Sequence, residues 1–172
     1  MHNFFEIYYA CIINFYIFGK MNKYKSIDHQ LRATWQAVAK MYNEQAVKHD
    51  STMATAFVLL NIDKEKGTPS TALGPLMGME PTSLSRILKN MEDKGAICRE
   101  KNPDDGRSVI IKLTEYGKEM RKVSKGHVIQ FNNTIREHVT EKELEGFFNV
   151  TSKINKLIAD KDIYKEVSNK AV

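Results

Sequence analysis

The stretch from Leu73 to Gly95, LGPLMGMEPTSLSRILKNMEDKG, constrains this chain more than any other. Pro81 sits where a helix begins, because a missing N–H costs nothing at the first helical position. Gly95 stands where that helix ends, in the position just past the C-cap that favours a left-handed backbone. Gly78 breaks the chain before it, and a shorter helix precedes the break. Two helices joined by a short glycine turn must touch closely, which calls for a small residue at the contact and apolar residues that wedge the second helix onto the first. Gly74 fits the first role, and Met79, Leu84, Ile87 and Leu88 fit the second. That leaves Thr82, Ser83, Ser85, Arg86 and Lys89 on the outer face. Short hydroxyls near a helix start and cations further along suit a DNA major groove. A solvated helix face has the same composition, so the face alone is not decisive. The segment after Gly95 is more telling. Ile97–Lys101 and Ser108–Leu113 read as two strands around the loop Asn102-Pro103-Asp104-Asp105-Gly106-Arg107. A helix-turn-helix that runs at once into strand, loop and strand is the winged-helix order. An arginine at such a loop tip suits the negative potential of a narrow minor groove.

The rest of the chain reads as helices. Ile27, Leu31, Trp35, Val38 and Tyr42 recur in steps of three and four, which marks one helix face, with Ser26 as its N-cap. A second helix is expected from Thr52 to Asp63, apolar nearly all round and therefore buried. The third, STALGPLM, is expected to be capped by Thr68 with Pro69 at its first position. Pro75 lies inside it and costs a backbone bond. Thr114 caps a fifth helix that starts at Glu115 and runs past Val128. Thr140 and Glu143 form a capping box for a sixth, with Leu144, Phe147, Phe148, Ile154, Leu157 and Ile158 at helical spacing. The outer helices carry apolar stripes with no local partner, and a second copy of the chain is the economical one.

The 172 residues are 42% hydrophobic and 27% charged, a globular composition, and the formal net charge of +5 permits an anionic partner without demanding one. Two distant cysteines, Cys11 and Cys98, build neither a disulfide framework nor a zinc site, and the five histidines show no ligand spacing. There is no phosphate-binding glycine loop and no nucleophile elbow, so an enzyme is not expected, nor any cofactor or metal. The first twenty residues, MHNFFEIYYACIINFYIFGK, are apolar but interrupted by Glu6 and Asn14. They are expected to be a non-native extension upstream of a true start at Met21; the rival reading is a membrane-surface anchor.

From about Ala54 to Met120 the chain resembles the DNA-binding core of the MarR family of winged-helix transcription regulators. The resemblance rests on Leu73–Lys89, on MEDKGAICR (Met91–Arg99), on DDGRSVIIKLT (Asp104–Thr114) and on LTEYGKEM leading into the long helix. The fold it implies is mainly α with a small β-wing, an α+β class: a winged helix-turn-helix core flanked by N- and C-terminal dimerisation helices. The implied domains are 21–50, an N-terminal dimerisation helix; 51–114, the DNA-binding domain; and 115–172, the C-terminal dimerisation helices. The implied function is that of a cytoplasmic repressor, a homodimer on a palindromic operator in double-stranded DNA, with no membrane partner. The resemblance places Thr82, Ser83, Ser85, Arg86 and Lys89 at the major groove, Ser70 and Thr71 near the backbone, Lys101 on a phosphate, and Arg107, held by Asp105, in the minor groove. A small aromatic or anionic effector is implied, for which Trp35, Tyr42 and His49 are candidates; packing is the competing role for Trp35 and Tyr42. The alternatives are a winged-helix module for protein contact and a redox-responsive regulator using Cys98, a residue whose composition and setting otherwise suggest a small buried hydrophobe.

Overall fold

The computed structural model describes residues 26–103, 105 and 108–164. The upstream segment, Cys11 and the wing residues Asp104, Gly106 and Arg107 lie outside them. The chain divides into two compact units, Met1–Ser124 and Lys125–Val172.

The first unit holds α1 (Ile27–Val47), α2 (Met53–Asn61), β1 (Thr68–Pro69), α3 (Ser70–Met77), α4 (Pro81–Asp93), β2 (Ile97–Lys101), β3 (Val109–Leu113) and the start of α5 (Glu115–His138). Its core is one cluster. Val58, Leu59 and Ile62 come from α2 and its end, Leu73 from α3, and Leu84, Leu88 and Met91 from α4. Ala96, Ile97, Ile111 and Leu113 come from the sheet and the turn before it. The apolar positions that hold α4 in place are therefore the i, i+4 and i+7 residues of one stripe.

Several expectations need correction. The sheet has three strands in the order β1-β3-β2, all antiparallel, not two. Thr68 pairs with Ile111, and Ile97 with Leu113. Pro69 is the N-cap of α3, not its first residue. Thr68 does not cap that helix. Its hydroxyl accepts from the Asp63 N–H at 2.9 Å and donates to the Asn61 carbonyl at 3.4 Å, closing the end of α2 instead. A proline is tolerated in β1 because the strand lies at the sheet edge. α2 is less buried than its composition suggests: only Val58 and Leu59 are fully enclosed. Ser26 holds the N-cap position of α1 without bonding a backbone N–H; its hydroxyl meets Asp28 and holds that carboxyl below its ordinary range.

Other signals act as expected. Thr52 caps α2 by accepting from the Thr55 N–H at 3.1 Å. Gly78 and Gly95 are left-handed, with φ of 59° and 68°. Gly74 is buried, and a Cβ there would stand 3.3 Å from the Met79 carbonyl oxygen, so the small residue is required by the helix contact. The helix α3 continues through Pro75 to Met77. Thr114 accepts from the Gly117 N–H at 3.0 Å and donates to the Gly95 carbonyl at 2.6 Å, fastening the start of α5 to the end of the helix-turn-helix.

The second unit holds the rest of α5 and α6 (Glu141–Ala159). Thr140 and Glu143 form the expected capping box. No residue of α6 is buried.

Candidate nucleic-acid interface

The first requirement of a reading helix is that its functional face be free. In α4, Leu84, Leu88 and Met91 are buried, while Thr82, Ser83, Ser85, Arg86 and Lys89 are all exposed. Glu80 is the N-cap, but its side chain accepts no backbone N–H. Pro81 has no N–H, so the amides of Thr82 and Ser83 are left at the helix start, where they favour an anion. The Ser85 hydroxyl donates to the Pro81 carbonyl oxygen at 2.8 Å.

Ser70 and Thr71 lie in the first turn of α3 and share a cleft of about 520 Å³ with Pro81, Ser85 and Arg99. The structure thus brings Ser70 and Thr71 to the same side of the motif as α4's first turns. Arg99, on β2, also bonds Glu92 of α4 through Nε at 2.9 Å. Sequence spacing does not reveal that pair: its members stand on either side of the Gly95 turn, so no helical or strand period links them.

Lys101 is exposed at the end of β2, opposite Val109. The base of the wing is cross-braced. The Asn102 N–H donates to the Ser108 carbonyl at 3.3 Å, and the Ser108 N–H to the Asp105 carbonyl at 3.0 Å. The Asn102 amide also donates to the Ser108 hydroxyl at 2.8 Å. Asp105 is exposed. The expectation that it holds Arg107 falls on a residue outside those described.

Two of the three effector candidates share a partner. Trp35 and Tyr42 each pack on Phe57 of α2, with ring centroids 6.4 Å apart in both pairs. Burial pushes the Tyr42 phenol above its ordinary value. Trp35 is 53% exposed, too open for a core residue. His49 lines a different cavity of about 60 Å³, with Lys94 and Tyr116. Cys98 is exposed, which overturns the expectation of a buried thiol. It faces Lys112 across the ladder, and only Ile97 of β2 is buried. Among the described residues no three His, Cys, Asp or Glu side chains gather as a metal site, and no helix is long and apolar enough to cross a membrane.

A helix-turn-helix, a three-stranded sheet that carries a wing, and a free face of hydroxyls and cations define a winged helix-turn-helix protein of the transcription-regulator class. Comparison with known proteins agrees. The MarR family model matches residues 52–109. The SarZ regulator of Staphylococcus saprophyticus is 30% identical over 117 residues, which span 65% of this chain and 80% of that protein. SarZ of Staphylococcus haemolyticus is 32% identical over 87 residues, spanning 51% of this chain and 59% of that protein. The chain belongs to the MarR family of transcriptional regulators. Among solved structures, the Staphylococcus aureus MepR–DNA complex matches with a TM-score of 0.69 at 17% identity, covering 78% of this chain and 98% of that one. The PcaV regulator of Streptomyces coelicolor, in complex with its natural ligand, matches with a TM-score of 0.67 at 18% identity, covering 79% and 96%.

Proposed function

We propose that this protein represses transcription as a homodimer on a palindromic DNA operator and leaves it when a small aromatic or anionic effector binds. The observation that carries the reading is the free outer face of α4, with its hydroxyls, cations and uncapped first-turn amides beside a braced wing. The recognition helix enters the major groove. Thr82, Ser83, Ser85 and Arg86 lie in its first two turns, where base edges are within reach. Lys89 faces the same groove, Ser70, Thr71 and Lys101 meet phosphates, and Arg107, positioned by Asp105, enters the adjacent minor groove. A family member captured on DNA supports this use of the fold. Another solved with its natural ligand supports the binding of an effector. In this chain the aromatic trio Trp35, Tyr42 and Phe57 is where such a ligand would stack.

The test is DNA binding measured by fluorescence anisotropy, on an operator selected from the source genome. Arg107→Ala is expected to weaken binding at least tenfold and leave the oligomeric state unchanged. Lys101→Ala is expected to weaken binding to all sequences alike and to reduce the salt slope by about one unit. Wild-type affinity for Arg107→Ala at about 0.15 M salt would remove the wing from the interface.

A further inference from the structure

We infer that Ser85 acts as a hydrogen-bond acceptor toward DNA and so selects adenine or cytosine, the bases that carry an amino group in the major groove, at the position it faces. The inference rests on the DNA-binding reading above and adds a polarity to it.

A serine hydroxyl has one proton and two lone pairs. In Ser85 that proton is committed inside the helix, to the Pro81 carbonyl one turn back at 2.8 Å. What the side chain presents outward is then the lone pairs. Its neighbours differ. Among the described residues, Thr82 and Ser83 make no side-chain hydrogen bond, so each can rotate to donate or accept, and neither discriminates by polarity. Arg86 and Lys89 only donate. Ser85 is therefore the one fixed acceptor on a face otherwise made of donors and rotors. Phosphate oxygens are acceptors too, and two acceptors repel, so this geometry assigns Ser85 to a base and not to the backbone. In the major groove adenine N6 and cytosine N4 donate, whereas guanine O6 and N7 and thymine O4 accept. Each base pair carries one amino group there, on one of its two bases, so an acceptor distinguishes the two orientations of a pair.

The experiment uses the full chain and a randomised duplex library, with wild-type protein and Ser85→Ala. Ser85 is exposed, so its truncation leaves the core untouched. Wild type is expected to enrich adenine or cytosine about fivefold over guanine or thymine at one position, repeated in the mirrored half-site, the discrimination of one net hydrogen bond. Ser85→Ala is expected to lose the preference there and nowhere else. In the selected site, purine in place of adenine, or 2-pyrimidinone in place of cytosine, removes only the amino group. Wild type should lose about fivefold on that change, and Ser85→Ala nothing. Equal losses in the two proteins, an unchanged motif from Ser85→Ala, or loss of a guanine or thymine preference would each overturn the inference. A library from which wild type enriches no motif would overturn the DNA-binding reading itself, and the acceptor role with it.

Discussion

Gly117 and Gly126 stand in the same helix and should respond oppositely to the same change. Gly117 is buried in the first turn of α5, and a Cβ there would overlap the carbonyl oxygen of Ala96. That oxygen is fixed, because it also accepts the Thr114 N–H at 3.2 Å. Backbone cannot swing aside as a side-chain tip can. Gly117→Ala should therefore lower unfolding free energy by about 3 kcal/mol. Gly126 has open space where a Cβ would go. Gly126→Ala should raise unfolding free energy by about 0.5–1 kcal/mol, the ordinary gain of alanine over glycine inside a helix. Urea titration of the two variants checks both signs; a neutral Gly117→Ala would mean that α5 can lift off the Gly95 turn at little cost. Single residues are legible in the sequence where a local rule acts on them. Gly74, Gly78 and Gly95 are set by helix contact and helix termination, which involve neighbours a few positions away. Cys98 and Trp35 are not legible in this way, because exposure is set by the far side of the fold. Nothing near Cys98 in the chain says that the outer surface of β2 lies uncovered. Arg121 escapes a local reading for the same reason: its guanidinium reaches back to the Leu59 and Leu60 carbonyls, at 3.0 and 3.2 Å, across some sixty positions of chain.

At the scale of elements, the helix ends carry a pH dependence whose sign is fixed. Hydrogen bonds from the Thr140 N–H and hydroxyl, at 2.8 and 2.7 Å, hold the Glu143 carboxyl below its ordinary range. The N–H groups of Lys66 and Glu65, at 2.7 and 2.9 Å, do the same for Asp63 in the turn after α2. A group with a lowered folded-state pKa contributes stability above its unfolded value and loses it as pH falls through the folded one. Thermal stability should thus fall as the medium is acidified below about pH 4.5, the upper end of the unfolded carboxylate range. Glu143→Gln keeps a capping partner but cannot titrate. Its melting temperature should decline less steeply than that of wild type across that window; parallel curves would show that the box contributes nothing through its charge. Thr140→Ala removes the box altogether and should cost about 1 kcal/mol at neutral pH. These caps are readable from residue spacing alone. β1 is not. Two residues carry no alternation, and Thr68-Pro69 looks like a helix start because a threonine before a proline usually is one. Its pairing with Ile110 and Ile111 is non-local, and only the folded sheet reveals it.

At the scale of the molecule, much of the stripes read from sequence is exposed among the described residues. α6 buries no residue, and Phe147, Phe148, Leu157 and Ile158 are each 43% exposed or more. Ile27, Leu31 and Trp35 of α1 are open as well. Apolar faces of this extent are a common feature of protein contact surfaces, and a second copy is the partner that the palindromic-operator proposal calls for. Replacing Leu157 and Ile158 together by Asp should leave the fold of the first unit intact, since neither residue belongs to its core. It should also take the sedimenting species from twice the 19.7 kDa chain mass to once. The consequence for DNA is quantitative. Salt dependence counts phosphate contacts, and two copies make twice as many as one, so the slope of log K against log salt should halve in the double variant. Affinity should fall much further than the slope, because the second half-site is then bound as a separate event, without the effective concentration that tethering supplies. Wild-type protein that sediments at the single-chain mass at micromolar concentration, yet binds a palindrome with full affinity, would exclude a preformed dimer and leave assembly on the operator as the route.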